Sequence, residues 1–308
     1  MTKRANDKTI YLFVVNPISG GIDKQMILDF ILERSKSEGF IFELLKTTGE
    51  NDEQEILSLV EKHDPEVVVA VGGDGTLMML ARLFREKDQH IALIPSGSAN
   101  GMAVELDIPQ VKGLTEAAQR ENLEQCWELI SRGRVKSIDL VRVNDRYSLH
   151  LSDAGLNARI VKGYDEDDRR GLLGYAKQIL KEAPEQEQFK YRIKTEKKSF
   201  TGKAYMIVMA NARRYGTGAI INQKGRLDDG MVELCIVKSL NLMMLINAIT
   251  SIITDDPAYN PDDLEVISCR KAEISFMKDQ LLQVDGEFVG ETGKIDLEVV
   301  PKAVQIRC

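Results

Sequence analysis

Val67-Val68-Val69-Ala70-Val71-Gly72-Gly73-Asp74-Gly75-Thr76 is the stretch whose reading decides the fold. A short β-branched run bounded by glycines reads as a buried strand. Thr76-Leu77-Met78-Met79-Leu80-Ala81-Arg82-Leu83-Phe84 then reads as a helix. The glycines fall in the turn between them, where the backbone can adopt unusual φ and approach a ligand closely. Free N–H groups at a helix start, together with the helix dipole, favour an anion such as phosphate. Asp74 would repel a bare phosphate, but a carboxylate in such a cradle makes sense when Mg²⁺ lies between the two. The loop therefore reads as a nucleotide–metal site. The competing reading is an ordinary βα turn, and this stretch alone leaves the two even.

Outward from it, the first half alternates strands (9–15, 40–45, 66–71, 91–95) with helices (23–38, 51–63, 76–86, 115–131). That pattern implies a parallel sheet with helices on both faces, whose ligands sit beyond the carboxyl ends of the strands. After Ser131-Arg132-Gly133-Arg134 the pattern changes. Strands are expected at 135–143, 147–152, 188–195, 201–210, 231–238, 264–269, 272–277, 281–285, 294–300 and 303–307, with helical segments near 171–182 and 240–253. The expected organisation is an α/β nucleotide domain over 1–134 and an antiparallel β-rich domain over 135–308, with the C-terminal tail as a candidate to pack back on the first.

Composition sets outer bounds. At 308 residues the chain suits two domains better than one, and 43% hydrophobic residues suffice for a real core. The net charge of −7 argues against nucleic acid as the main partner. Cys126, Cys235, Cys269 and Cys308 are far apart and match no metal-ligand spacing, which suits free thiols in a reducing cytosol. The N-terminus is too polar for a signal peptide. The most apolar helical stretch, Leu240 to Ile253, is shorter than the ~20 residues a spanning helix needs. The run Asp165 to Arg170 reads as a solvated charged loop.

Two further loops of the first half combine Gly with Ser or Asn, small residues able to hydrogen-bond phosphate. Asn16-Pro17-Ile18-Ser19-Gly20-Gly21 follows the first strand, and Pro95-Ser96-Gly97-Ser98-Ala99-Asn100-Gly101 follows the fourth. Three such loops on one sheet edge make a strong signal where one would be weak. The second half holds Gly225-Arg226-Leu227-Asp228-Asp229-Gly230-Met231 before a strand and Val284-Asp285-Gly286-Glu287 at the end of another. Alone, each would read as a β-turn.

In order and spacing the five motifs resemble the diacylglycerol kinase catalytic family, which includes sphingosine and ceramide kinases and bacterial lipid kinases. The resemblance spans nearly the whole chain. It implies a phosphofructokinase- or NAD-kinase-like nucleotide domain followed by an antiparallel β-sandwich, with the cleft between them. It implies ATP and Mg²⁺ as cofactors, with Asn16, Pro17, Ser19, Gly20, Thr47, Gly72, Gly73, Asp74, Gly75, Thr76, Ser98 and Asn100 at the nucleotide. Asp74 would help hold the Mg²⁺ on the phosphates. Asp229, with the main-chain carbonyls of Arg226 and Met231, would hold a structural Mg²⁺. Glu287 would be the general base and Asp285 would position it together with a metal-linked water network. The implied partner is a membrane lipid substrate met by peripheral contact from the cytoplasm; no nucleic acid is expected, and a homodimer is one option for assembly.

Some positions depart from the family pattern. Gly97-Ser98-Ala99-Asn100-Gly101-Met102-Ala103 stands where many bacterial members have Gly-Thr-Gly-Asn-Asp-Phe-Ala, and is closer to the sphingosine kinase branch. Gly155-Leu156-Asn157-Ala158 replaces the usual Gly-x-Asp-Ala, which bears on headgroup contacts, and Asn222 stands where Pro is common. Leu149, Leu151, Ile160 and Val161 are candidates for an acyl pocket, with plain core the better reading of each. Arg169, Arg170, Arg213 and Arg214 are candidates for docking on anionic lipid, with ordinary surface charge the slightly better reading. NAD kinase shares Gly-Gly-Asp-Gly-Thr, but its Asn-Glu and Thr-Gly-Ser-Thr-Ala motifs are missing here. A non-enzymatic nucleotide or lipid sensor is the third reading.

Overall fold

The apolar run Val67–Val71 forms the third strand of a parallel sheet and is buried along its whole length. Strands covered on both faces by crossover helices read as continuous apolar runs for this reason. In the computed structural model, which describes residues 8–308 apart from 22, 99, 113–114, 157, 160–186, 215–218, 242–246, 248–249 and 251–258, the chain divides into two units. One is Met1–Ser137 with Val304–Cys308, the other Ile138–Ala303.

In the first unit β1 (Ile10–Val15), β2 (Ile41–Lys46), β3 (Val67–Gly72) and β4 (His90–Pro95) lie in the order β2-β1-β3-β4, all parallel. The helices are α1 (Gln25–Glu38), α2 (Asp52–His63), α3 (Asp74–Leu83), α4 (Gly101–Glu105) and α5 (Glu116–Arg132). Phe40 stacks near Trp127 of α5 with ring centroids 4.8 Å apart, and Tyr11 meets both rings. The chain's end joins this sheet: Ile306 pairs in parallel with Ile91, and the Arg307 guanidinium donates to Glu66 (2.6 Å) and to the Ile130 carbonyl (3.0 Å). Because every strand runs the same way, the loops after β1, β3 and β4 emerge at one edge.

The second unit is antiparallel. β5 (Val135–Val143) leads into β6 (Arg146–Ser148) and β7 (Leu151–Gly155), then β8 (Phe189–Thr195), β9 (Ser199–Ala204), β10 (Met206–Ala210), β11 (Val232–Val237), β12 (Leu264–Cys269), β13 (Lys271–Val284) and β14 (Glu287–Arg307). One run of the sheet is β12-β11-β10-β7-β13. The first half of β13 pairs instead with β8, and the register shifts between Ser275 and Gln280, where the strand passes from one set of partners to the other. Such shifts let one strand serve both layers of a sandwich. The core they enclose includes Ile193, Ile207, Leu234, Ile274 and Ile295.

Several expectations need correction. The stretches 272–277 and 281–285 are one strand, as are 294–300 and 303–307. Polar Asp279-Gln280 marks a register shift rather than an end, and Pro301-Lys302, with Lys302 at φ 51°, is absorbed as an irregularity within β14. Conversely 201–210 divides at Tyr205 and 147–152 divides after Ser148. The helix expected at 76–86 begins at Asp74 and ends at Leu83. The short α4 was not foreseen; five residues carry too little periodicity to show. The helices expected near 171–182 and most of 240–253 lie outside the described residues. Cys126, Cys235 and Cys269 are buried and Cys308 half-buried, all as free thiols. Among the described residues no helix is long and apolar enough to cross a membrane.

Candidate active site

The three glycine loops of the first unit pack backbone against backbone. A Cβ on Gly97 would fall 2.4 Å from the Gly73 Cα, and one on Gly20 would fall 2.2 Å from the Ser96 carbonyl oxygen. No side chain fits at either place, which gives these glycines a steric reason beyond flexibility. Asn16 at the end of β1 donates from its backbone to the Val71 carbonyl (2.9 Å), and its Oδ1 accepts from Ile18 N–H. The Ser19 hydroxyl donates back to the Asn16 carbonyl (3.0 Å). Thr47, at the end of β2, donates from its backbone to Val15 (2.9 Å). Asn16, Ser19, Gly20, Thr47, Gly72, Gly73, Asp74, Gly75, Thr76, Ser98 and Asn100 are thus gathered at one edge of one sheet; Pro17 and exposed Ile18 form the tip of the first loop.

Asp74 sits in the first turn of α3, and its two carboxylate oxygens accept from Gly101 N–H (2.8 Å) and Met102 N–H (3.0 Å) at the start of α4. The carboxylate therefore locks the second loop to the third as well as facing the loop edge. Asn100 is buried, with Oδ1 accepting from Gly97 N–H and Nδ2 donating to the Gly97 carbonyl and to Gln110 (3.0 Å each). Its amide shapes the loop from within. Ser98 is exposed.

Two lysines complete this edge and were not singled out in the sequence. Lys24 is buried, and its ammonium bridges the Ser19 carbonyl (2.8 Å) and the Ser96 carbonyl (3.0 Å), joining the first loop to the third. Burial lowers its pKa from the ordinary lysine value. Lys112 donates to the Ser98 carbonyl (2.9 Å); burial lowers its pKa while nearby Asp74 raises it. The signal was a lone lysine shortly after the first loop and another beyond α4, too common to stand out. The donor set fits a nucleotide carrying a hard cation: tightly approached backbone N–H groups, two ammonium groups and one oxygen ligand. Among the described residues no group of three or more His, Cys, Asp or Glu gathers as a metal site; Mg²⁺ on nucleotide phosphates needs only one or two carboxylates.

In the second unit Asp285 and Gly286 form the two-residue turn between β13 and β14, both with positive φ (49° and 86°). Asp-Gly suits this turn because both positions must enter the left-handed region. The Asp285 carboxylate accepts from the Ser148 hydroxyl (2.7 Å) and from the N–H groups of Leu149 (2.7 Å), His150 (3.1 Å) and Leu151 (3.0 Å). Burial raises its pKa, and these donors pull it back. The Asp285 carboxylate is thus the anchor of the turn. Glu287, the next residue beyond Gly286, is exposed, with the Arg146 guanidinium 3.9 Å away.

The Arg226–Met231 loop rests on buried Asp139, which was also overlooked. Asp139 accepts from Gly230 N–H (2.6 Å) and Lys302 N–H (2.7 Å), and its own N–H donates to the Leu227 carbonyl (2.7 Å). Burial raises its pKa; the two N–H donors oppose this, and Asp229 and Asp228 add to it. Asp229 is exposed and accepts from Met231 N–H (3.0 Å), while Asp228 pairs with Arg226 (3.3 Å). Asn211 joins Asp139, beneath this loop, to the segment that holds Asp285, donating through Nδ2 to the carbonyls of Asp139 (2.9 Å) and Leu149 (2.8 Å). Asn222 is buried and donates to buried Glu233 (2.9 Å), so the departure from Pro serves a polar contact. Leu149 and Leu151 are buried, and Arg213 and Arg214 are half-buried. Asn157, Ile160, Val161, Arg169 and Arg170 lie outside the described residues.

Residues 10–143 match the diacylglycerol kinase catalytic domain, and residues 151–308 match the YegS C-terminal NAD kinase beta sandwich-like domain. The chain belongs to the diacylglycerol kinase catalytic family. It is 22% identical over 283 residues to a diacylglycerol kinase of Bacillus subtilis, covering 90% of this chain and 89% of that protein. It is 26% identical over 311 residues to an uncharacterized protein of Synechocystis, covering 95% of this chain and 69% of that one. The crystal structure of a diacylglycerol kinase from Bacillus anthracis matches with a TM-score of 0.72 at 18% identity, covering 99% of this chain and 98% of that one, a likeness of fold. Membership makes the chain a phosphotransferase of the lipid kinase family.

Proposed function

We propose that this family member is an ATP- and Mg²⁺-dependent kinase that phosphorylates the hydroxyl of a membrane lipid, of the diacylglycerol or sphingoid kind. The observation that carries the reading is the glycine-to-glycine packing of Gly97 on Gly73, with Asp74 clasping the start of α4. It supports a rigid, cationic, backbone-lined edge suited to a polyphosphate. The second unit would serve the lipid. Its Asp285-Gly286 turn presents Glu287, and its Asp229 loop would hold the second cation.

Glu287 would accept the proton of the lipid hydroxyl as the hydroxyl oxygen attacks the terminal phosphorus and ADP departs. Lys24 and Lys112 would hold the first and third loops in place and add positive charge near the phosphates. When bound, Mg²⁺ would neutralise charge on the phosphate oxygens. The test is incubation with ATP and a total bacterial lipid extract, followed by mass spectrometry. The expected result is a new phosphorylated lipid that is lost when Mg²⁺ is chelated; phosphate appearing only on a nicotinamide or sugar substrate would overturn the reading.

A further inference from the structure

We propose that Gln283 is a positioning residue for Glu287, acting through the Asp285-Gly286 turn, with Asp153 orienting its amide. Gln283 and Asp153 are both buried and lie opposite each other in the β13–β7 register. Gly286 N–H donates to Gln283 Oε1 (2.7 Å), and Gln283 Nε2 donates to the Asp153 carboxylate. A backbone N–H can only donate, so Gln283 must turn its oxygen to Gly286 and its nitrogen to Asp153; one orientation of the amide satisfies both.

The turn needs this contact. Directly behind it the β13–β14 register slips between Leu282 and Gln283, with Gly290 at φ 132°, so the ladder alone leaves the aim of Glu287 loosely set. Glu287 is largely exposed, with the Arg146 guanidinium 3.9 Å away. Asp285 anchors the first corner of the turn through four donors from Ser148–Leu151. Gln283 anchors the second, the residue to which Glu287 is bonded. A general base works only within hydrogen-bond reach, and a displacement of about 1 Å can lower a rate by ~10².

The inference rests on Glu287 as the base, and a double-mutant cycle separates the two. Labelled phosphate transfer from ATP to a total bacterial lipid extract is measured for the wild type, Gln283→Leu, Glu287→Gln and the double variant. Gln283→Leu should lower kcat by about 10- to 100-fold with the KM for ATP unchanged, and should add almost nothing in the Glu287→Gln background. Equal losses in both backgrounds, or an unchanged kcat, would overturn the role of Gln283 while leaving Glu287 as base. If Glu287→Gln keeps full kcat, or the wild type labels no lipid, the base reading fails and this inference with it. Should Gln283→Leu not fold, exchanging polarity decides the matter. Gln283→Glu alone should lose rate, and Gln283→Glu with Asp153→Asn should regain it, because Gly286 keeps its acceptor and the carboxylate–amide pair is restored in reverse. No regain would overturn the proposal.

Discussion

At Asp74 a single carboxylate faces two backbone N–H groups of α4 while standing in the turn that opens α3. Asparagine keeps the size but turns an N–H₂ toward one of those donors, so a buried N–H loses its acceptor. Such a loss costs about 1–3 kcal/mol. Asp74→Asn should therefore lower both the thermal midpoint and the affinity for Mg²⁺–ATP, and calorimetry with thermal melts of the same sample checks both. A fall in ATP affinity with an unmoved midpoint would mean that the contact to α4 contributes nothing. Glu287 behaves differently because it is exposed and its ion pair to Arg146 is long, at 3.9 Å. Glu287→Gln should lose ~10²–10⁴ in kcat, the usual worth of general-base assistance, with the thermal midpoint nearly unmoved. If the residue merely closed a turn, the midpoint would fall and kcat per folded molecule would not.

Among the elements, the loops after β1, β3 and β4 show what glycine contributes when backbones touch. A methyl on Gly97 would stand 2.4 Å from the Gly73 Cα, so Gly97→Ala must force two loops apart. The expected outcome is loss of detectable ATP binding in a chain that still folds, checked by calorimetry beside a circular dichroism melt; retained binding would show that the cradle is more pliant than its contacts suggest. The Asp139 support under the Asp229 loop carries a pH signature. Its carboxyl binds a proton more tightly folded than unfolded, because burial raises its pKa. Its contribution to stability is full below the ordinary carboxylate pKa of about 4 and is lost as pH rises through the folded value. In metal-free buffer, the stability of the wild type relative to Asp139→Asn should therefore decline between acid and neutral pH, read as urea midpoints; a constant difference would reject the shift. The α/β alternation and the edge with the glycine loops were legible in sequence, because strand burial and Gly-rich turns leave local patterns. What supports them was not. Lys24, Asp139, Asn211 and Gln283 act through contacts to residues far along the chain or to backbone atoms, and no spacing rule announces such partners.

For the whole molecule, the sheet-level organisation was readable because each half has its own period: 3.6-residue helices between parallel strands in the first, alternation in the second. Strand ends in the second half were misjudged where polar or proline residues interrupt a strand without ending it, as at Asp279-Gln280 and Pro301-Lys302. How the chain would meet its lipid follows from charge. The net charge of −7 sets the molecule as a whole against an anionic bilayer. Among the described residues no helix can anchor it by crossing. Productive contact with a lipid substrate would then depend on local basic patches, and Arg213 and Arg214 are the candidates within the described residues. Attraction between such a patch and anionic headgroups is worth about 1 kcal/mol per basic residue near the surface and fades over a Debye length of about 10 Å at 0.1 M salt. Presenting the lipid extract in vesicles enriched in phosphatidylglycerol should therefore raise the rate over zwitterionic phosphatidylcholine vesicles, and raising salt from 0.05 to about 0.5 M should remove most of the gain by screening. Arg213→Ala with Arg214→Ala should lose the vesicle-charge dependence and keep the rate in detergent-dispersed lipid. A rate indifferent to vesicle charge and salt in the wild type would mean that the lipid is reached without electrostatic docking.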